Sequence, residues 1–278
     1  MYICKSRYLT RGEVWYDDEA GNTRSVDWIV YHQRSQPVPG AAWEYFYNYV
    51  IDLNEPVEKL QAQLNQDTAY KIRRARERDK IVCEQRDSRD SAVLAQFEEM
   101  YNRFALTKGL APLERTRVES MAAAGMLDMS VAKDAQGNVL VCHANYRDHQ
   151  RATQLYLPSL YRSLSDNGAR SLIGRANRYL TWSDILRYKD QGLKYFDFGG
   201  WYPGSDPEML KINEFKRGFG GQVLREYQCE QIVTLKAWLV LNGARLLKRW
   251  KLFDSIAKKS PTVLPPPIRV ENPVAVPS

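Results

Sequence analysis

Cysteine and histidine are scarce in this chain of 278 residues, which has four cysteines and three histidines. The cysteines show none of the paired spacings of zinc sites or disulfide frameworks; they are Cys4, Cys83, Cys142 and Cys229. We therefore expect free thiols, mostly buried, and no metal site. The chain also has no serine or cysteine in a visible arrangement with histidine and aspartate, so we expect no covalent acyl-enzyme.

Long apolar runs are missing as well. No stretch approaches the roughly 20 apolar residues that are needed to cross a bilayer. The N-terminal sequence MYICKSRYLTRGEVW has neither the apolar segment nor the small-residue cleavage pattern of a signal peptide. We expect a cytoplasmic protein, with peripheral contact at the inner face of the membrane left open. Because no helix-turn-helix or zinc-finger pattern is present, DNA is not an expected partner.

The charge and the apolar content are those of a basic globular protein. The formal net charge is +7 and 44% of the residues are apolar, enough for a real core. The positive charge favours anionic partners such as nucleotides, tRNA, sugar phosphates or a lipid surface, without choosing among them.

The order of patterns along the chain predicts a mixed α/β sheet. Alternating apolar and polar residues predict about three antiparallel strands in the first fifty residues, followed by a basic helix over 57–79. Further on, an antiparallel meander is predicted from Leu127, then a helix over 176–192 and a strand over 194–200. Four units are predicted. Residues 1–88 form a reduced N-terminal unit with the basic helix, and residues 89–235 form the C-terminal unit. Residues 236–260 form a basic amphipathic helix, and residues 261–278 form a flexible proline-rich tail.

The segment 194–228 is the most informative part of the sequence. An apolar strand pattern runs into Gly199 and Gly200, which allow backbone conformations closed to other residues and a close approach by a substrate. After a polar loop, the run NEFKRGFGG sets Lys216 and Arg217 among aromatic residues and glycines, where a cation is held stiffly against a developing negative charge. The alternative is that both are surface charges of an aromatic hairpin.

This segment and the run TAYKIRRARERDKIVCE together resemble the Fem-type transferases and the wider GNAT superfamily of acyltransferases. In that family a helix ending in glycine precedes a strand that closes in an FDFGG-like sequence, and a downstream FK-x-GFGG element supplies a lysine. The matching elements here are Gly192, Phe196–Gly200 and Phe215–Gly221. The resemblance covers the C-terminal half well and the remainder loosely. It implies an α/β (mixed α+β), GNAT-like acyltransferase fold, with two tandem units of which the N-terminal one is reduced.

The resemblance also implies a chemistry. Fem-type enzymes move an aminoacyl group from tRNA to an amine of a peptidoglycan precursor, and their relatives move acyl groups from thioesters onto amines or sugars. Both reactions need a deprotonated amine and a stabilised oxyanion. Lys216 matches the family's lysine, and a preorganised cation at that oxygen lowers the barrier by about 3–4 kcal/mol. Asp197 alternates with two phenylalanines, so it is either the general base on the other face of the strand or the residue that orients the glycine turn.

The other candidate residues are assigned to binding. The candidates for substrate contact are Phe215, Arg217, Gly199, Gly200, Tyr202, Tyr156, His143, Arg73 and Arg74. His143 is a poorer base than Asp197, because a single strand histidine is usually structural. Arg73 and Arg74 lie on a cationic helix face that either grips phosphates or is simply solvated.

For a CoA donor, the residues expected to bind the pyrophosphate are Ile173, Gly174 and Arg175. They are expected to form a glycine-bearing loop that opens a helix and presents backbone N–H groups to the anion. The segment begins with Ser171, where the family usually has Gln or Arg, and this departure leaves room for another donor.

We therefore expect an N-acyltransferase that uses acyl-CoA as co-substrate and no tightly bound cofactor. Its acceptor is an amino group of a cell-envelope precursor, such as an amino sugar or a peptide. The alternatives are aminoacyl transfer from tRNA and a non-catalytic binding module on a degenerate fold. The helix predicted at 244–259 has an apolar stripe among cations and either docks on the protein or contacts a membrane or tRNA; the stripe is Leu246, Trp250, Phe253 and Ala257.

Overall fold

Ten strands and six assigned helices make up most of the computed structural model, which describes residues 1–6, 8–159 and 166–243. The strands are β1 Tyr2–Lys5, β2 Thr10–Trp15, β3 Trp28–Arg34, β4 Ala42–Asp52, β5 Val82–Arg86, β6 Leu127–Lys133, β7 Val139–Arg147, β8 Arg151–Tyr156, β9 Tyr195–Gly200 and β10 Gln222–Ile232. The helices are α1 Val57–Ala62, α2 Gln66–Glu77, α3 Ser91–Lys108, α4 Arg115–Ala123, α5 Asn167–Asp190 and α6 Pro207–Arg217.

All ten strands belong to one sheet with the order β1-β2-β3-β10-β4-β9-β8-β7-β6-β5. The predicted antiparallel meander is confirmed, because β6, β7 and β8 pair in sequence order and antiparallel. The prediction for the first fifty residues is wrong in two respects. β2 and β3 pair in parallel, and β10 lies between β3 and β4. The last strand pairs with the first part of the chain, and such a non-local contact leaves no mark on local patterns.

Helices cover both faces of the sheet. On one face, α2 packs on α5, and side chains of both helices share a core with Tyr49 of β4 and with Phe196 and Phe198 of β9. On the other face, α3 and α4 pack over β6 and β7, around Phe97 and Met121. Residues 1–88 and 89–235 thus contribute to one sheet, and the first compact unit of the chain is Met1–Val233.

The sheet is strongly curved. The Trp15 ring at the end of β2 stacks on the Tyr146 ring of β7 with 4.2 Å between centroids, although five strands separate β2 and β7 in the sheet. Tyr2 and Cys4 of β1 belong to the same core as α3 and α4. The N-terminal strands therefore close over one face of the sheet. Three cysteines are buried and Cys83 is half-buried, and all four are free, as predicted.

Two helix predictions need correction. The basic helix over 57–79 is two helices, because Asn65 begins α2 by accepting the N–H of Thr68 at 2.8 Å. The helix predicted at 176–192 begins at Asn167, where the side chain of Asp166 accepts the N–H of Ala169.

The second compact unit is Thr234–Ser278, of which the structure describes 234–243, helical from residue 235. The predicted elements at 244–259 and 261–278 lie outside the described residues. Among the helices that are described, none is both long and apolar enough to cross a membrane.

Candidate functional site

Strand β9 ends in a glycine turn that Asp197 organises. Asp197 is fully buried, and its Oδ1 accepts the N–H of Gly199 at 2.7 Å. Gly199 has φ of +69°, and a Cβ there would lie 3.2 Å from the carbonyl oxygen of Gln154 on β8. Both the backbone conformation and the close approach of β8 therefore require glycine. The geometry fits the second role considered for Asp197, that of orienting the turn.

Lys216 is the cation of this site. Its side chain is only 7% exposed, and its Nζ donates to the carbonyl of Gly200 and, at 3.4 Å, to that of Gly199. Burial lowers the pKa of Lys216 to about 8, against the opposite effect of the negative charge of Asp197. Within the described residues Lys216 has no ion pair, so its charge is solvated by backbone carbonyls alone. At neutral pH it is a mostly protonated ammonium that gives up its proton easily.

Helix α6 carries Lys216 to this position. Asp206 begins the helix by accepting the N–H groups of Glu208 and Met209, and Pro207 occupies its first turn. Asn213 ties α6 to the chain after β9, since its amide donates to the carbonyl of Tyr202 at 2.7 Å and accepts the Tyr202 N–H at 3.1 Å. The expected polar loop before Lys216 is thus largely helix. The signal was the run Asp206-Pro207-Glu208, which is typical of a helix start.

The pairing of the two parallel strands β8 and β9 ends close to Lys216. β8 and β9 pair only from Arg151 opposite Tyr195 to Thr153 opposite Asp197, although β8 continues to Tyr156 and β9 to Gly200. Beyond Thr153 and Asp197 no ladder pairing joins the two strands, although Gly199 still lies close to the carbonyl of Gln154. In open α/β sheets, ligands commonly bind at such carboxyl ends. The Lys216 ammonium is bound to the last two carbonyls of β9, so it lies at the carboxyl end of this strand.

A buried ion network lies on the opposite face of β9. Arg151 donates from Nη2 to Asp197 Oδ2 at 2.6 Å and from Nη1 to Glu226 Oε1 at 2.7 Å. Thr153 donates to Asp197 Oδ2 at 3.1 Å, and the Tyr16 ring lies 4.7 Å from the guanidinium. With Arg151, Thr153 and the Gly199 N–H all donating to it, the Asp197 carboxylate is not placed to act as a general base.

Sequence reasoning missed Arg151 and Glu226. Arg151 lies 46 residues from Asp197 and 75 residues from Glu226 along the chain. Nothing in the local sequence of Arg151 or Glu226 distinguishes them from other charged residues. Backbone strain marks the same place: of the three non-glycine residues with positive φ in the described part of the chain, two, Tyr16 and Gln33, hydrogen-bond to Thr153. Strain of this kind is kept only where the surroundings hold it in place.

A cavity of about 360 Å³, lined by three cationic and two acidic side chains, borders α6. Its lining residues are Asn65, Asp67, Thr68, Arg178, Lys211, Glu214, Phe215 and Arg217. The Arg178 guanidinium lies 5.1 Å from the Phe215 ring, and that of Arg217 lies 5.4 Å from the Trp201 ring. Burial lowers the pKa of Arg178, since few groups nearby solvate its charge. Phe215 and Arg217 were assigned to substrate contact, and Arg178 is an addition that only the structure makes.

Two of the predicted contact residues lie elsewhere. His143 is fully buried between β7 and α5, where Nδ1 lies 2.8 Å from Asp184 and Nε2 lies 2.8 Å from Asn177. It has no ring nitrogen left for a substrate, so this assignment is wrong. Tyr156 packs against α3 and its hydroxyl accepts from Arg117 at 2.9 Å.

The predicted CoA loop is also wrong. Ile173, Gly174 and Arg175 lie in the interior of α5, where their backbone N–H groups belong to the helix, and Arg175 binds Asp79. On α2, Arg73 is exposed and Arg74 is half-buried, donating to the Tyr70 hydroxyl at 3.3 Å. These two arginines remain candidates for phosphate contact. Within residues 1–6, 8–159 and 166–243, no group of three His, Cys, Asp or Glu side chains is placed to hold a metal ion.

Comparison with known proteins reveals the fold. No protein-family model and no curated protein sequence matches the chain. The crystal structure of FemX matches with a TM-score of 0.54 at 13% identity, covering 70% of this chain. The chain shares the fold of FemX. It spans 63% of the FemX chain. The structure of L-PGS from Bacillus licheniformis matches with a TM-score of 0.49 at 11% identity. The match covers 86% of this chain and 83% of the L-PGS chain.

Proposed function

We propose that the protein transfers an activated acyl or aminoacyl group to an amine at the Lys216 site. The observation that carries this proposal is the buried ammonium of Lys216, held by two backbone carbonyls at the carboxyl end of β9, just past its last pairing with β8. A cation that is fixed in a poorly solvated place stabilises a developing oxyanion far better than one in water. The fold, shared with FemX, is compatible with this chemistry but does not by itself establish it.

In the proposed reaction the acceptor amine attacks the carbonyl carbon of the donor directly. The new C–N bond forms as the carbonyl π electrons move to oxygen, and Lys216 donates a hydrogen bond to that oxyanion. When the tetrahedral intermediate collapses, the leaving group departs and takes the proton that the amine loses. Asp197 keeps the Gly199 turn in place, and through it the carbonyls that position Lys216.

The start of α5 is unfavourable for the pyrophosphate of CoA. A helix N-terminus binds phosphate through free backbone N–H groups and its positive dipole end. Here the carboxylate of Asp166 accepts the N–H of Ala169, so a negative charge already occupies this end. The cavity beside α6, whose lining has three cations against the two carboxylates of Asp67 and Glu214, is better suited to an anionic group of a donor or acceptor. This contrast favours an aminoacyl ester over acyl-CoA as donor.

The acceptor in this proposal is an amine of a cell-envelope precursor, an amino sugar or a short peptide. A polyanionic donor such as aminoacyl-tRNA predicts binding that weakens steeply with salt, because phosphate contacts release counterions. Acyl-CoA remains the comparison donor.

The test is product formation by the full chain with acetyl-CoA, longer acyl-CoAs and charged tRNA, each against amino-sugar and peptide acceptors, followed by mass spectrometry. We expect Lys216→Met to reduce the rate about 10²–10³-fold. Lys189→Met is the matched control, because Lys189 also donates to a backbone carbonyl, that of Leu53, at 2.8 Å. Equal rates for Lys216→Met and wild type would refute the proposal, as would the absence of product from every pair.

A further inference from the structure

Strand β4 begins with an exposed cluster of aromatic rings. Trp43 and Tyr45 are 50% and 47% exposed. Tyr227 of β10 lies directly opposite Tyr45, and the centroids of the three rings are 5.3–5.5 Å apart. The guanidinium of Arg225 lies 4.8 Å from the Tyr45 ring. These four residues form a surface that we call the aromatic platform.

The charges of β4 and β10 are divided between the two faces of the sheet. Side chains alternate along a strand, and the register of the two strands places their odd-numbered residues on the same face. Within 43–49 and 223–229, the odd positions hold the platform and no carboxylate. Glu44 and Glu226 point to the other face, where Glu226 belongs to the buried ion network. The positive charge of Arg225 therefore has no acidic neighbour on the platform itself.

The platform continues along β4 toward the Lys216 site. Tyr47 and Tyr49 follow on the same face, and the Tyr49 ring stacks on the Trp201 ring with 4.8 Å between centroids and 19° between planes. Trp201 directly follows β9, whose last carbonyl binds Lys216. The guanidinium of Arg217 lies 5.4 Å from the Trp201 ring. From the first ring to Tyr49 this line of aromatic side chains is about 20 Å long.

Exposed rings with arginines packed on them are typical of surfaces that bind an unpaired nucleic-acid strand. Bases stack on such rings whatever their sequence, and the guanidinium contacts both a ring and a phosphate. A protein partner fits this surface less well. The three rings of the platform offer on the order of 300 Å² to a partner, whereas a stable protein interface buries about 800 Å² on each side.

We propose that the aromatic platform binds an unpaired RNA strand and directs its end toward Lys216. Bases of the strand stack on Trp43 and Tyr45, and Arg225 contacts the phosphates between them. The choice of RNA rests on the proposed function, in which an aminoacyl ester of RNA is the favoured donor.

The first test is fluorescence anisotropy of a labelled octaribonucleotide titrated with the full chain. We expect Trp43→Ala and Tyr45→Ala each to weaken binding about tenfold, since each removes one stacking ring. Tyr195→Ala is the matched control and should bind like wild type. Tyr195 is also an exposed tyrosine, at 38%, but it lies on the face of β9 that carries Asp197 and Arg151.

A second RNA separates stacking from charge. An RNA hairpin with the same number of phosphates hides its bases in pairs, so it should bind at least tenfold more weakly than the unpaired strand. Arg225→Ala should weaken binding of every strand sequence alike and reduce the slope of binding against salt by about one contact, whereas Arg225→Lys should keep that slope. Strands that contain 4-thiouridine should cross-link to the peptide that carries Trp43 and Tyr45.

Equal binding by Trp43→Ala and wild type would overturn the proposal, as would equal affinity for strand and hairpin or no binding of either. So would a Trp43→Ala variant that loses self-association but keeps its affinity for RNA. These assays use RNA without an acyl group, so strand binding without product from any donor and acceptor would refute only the transfer at Lys216. Transfer from charged tRNA with an unchanged KM in Trp43→Ala would refute only the platform.

Discussion

Lys216 and Arg151 are both buried cations beside β9, yet only Arg151 is paired with carboxylates. Arg151 donates to two carboxylates, Asp197 and Glu226, and is 8% exposed. Burial alone would lower its pKa, but these carboxylates raise it well above its ordinary value. Lys216 is 7% exposed and is bound only to carbonyls of the glycine turn, so burial lowers its pKa to about 8.

The difference indicates which of the two charges is available for chemistry. The guanidinium of Arg151 is fully committed to its partners, and it fixes the strand that carries Asp197. The ammonium of Lys216 has no counterion in the described residues. No carboxylate there competes with an oxyanion for the hydrogen bonds that this ammonium donates. One cation stabilises the fold, and the other is kept at the cost of some stability.

The largest expected effect is on the structural member of the pair. Arg151→Met leaves Asp197 and Glu226 buried without their cation, so the free energy of unfolding should fall by about 3–5 kcal/mol. Urea denaturation measures this change. Arg151→Met combined with Glu226→Gln should recover part of the loss, because one buried charge is then removed. A single-variant loss below about 1 kcal/mol would show that the network is not structural.

The second-largest effect is expected in the pH dependence of stability, which should differ between the two cations. Lys216 has a folded-state pKa of about 8 against an ordinary value of 10.5. Between these pH values the unfolded chain binds more protons, so the free energy of unfolding should rise with pH, by about 3 kcal/mol in all. This rise should appear when wild type is compared with Lys216→Met, which lacks the titrating group.

The difference in the free energy of unfolding between wild type and Arg151→Met should stay constant over that pH range, because the Arg151 guanidinium stays charged. Urea denaturation at a series of pH values measures both. A flat difference between wild type and Lys216→Met would mean that Lys216 is not buried in this way.

The smallest expected effect concerns the turn that lies between the two cations. Gly199→Ala places a Cβ in the left-handed region and 3.2 Å from the Gln154 carbonyl. We expect a loss of about 1–3 kcal/mol, in which strain and crowding both take part. Gly192→Ala is the matched control, since Gly192 has φ of +81° but open space around its Cβ position. Thermal or urea unfolding of both variants gives the crowding contribution as their difference, and equal losses would contradict a tight contact between β8 and β9.

The fold was predictable where the pattern is local. The β6–β8 meander and the strand that ends in Gly199 and Gly200 followed from alternation and turn residues. Helix α6 was missed although Asp206 and Pro207 signal its start, because the glycines around Lys216 pointed to a hairpin. The parallel pairing of β2 with β3 and the insertion of β10 depend on contacts between distant parts of the chain.

The candidate site divides in the same way. Lys216 and the glycine pair were named as candidates from the sequence, because a motif of adjacent residues carries them. Arg151, Glu226 and Arg178 were not, and His143 was misassigned, because burial and the direction of a side chain arise only when strands and helices pack.

The order of the residues alone places a lysine and a glycine turn close along the chain of a mixed α/β protein. Packing of the folded chain then brings α6 back to β9, so that the Lys216 ammonium meets the carbonyls of Gly199 and Gly200 with no counterion among the described residues. It also decided that Asp197 faces Arg151 across the strand and holds the turn. Local patterns set the types of residues and elements, but a pKa depends on what surrounds a group in three dimensions, and that surrounding is formed by segments far apart in the chain.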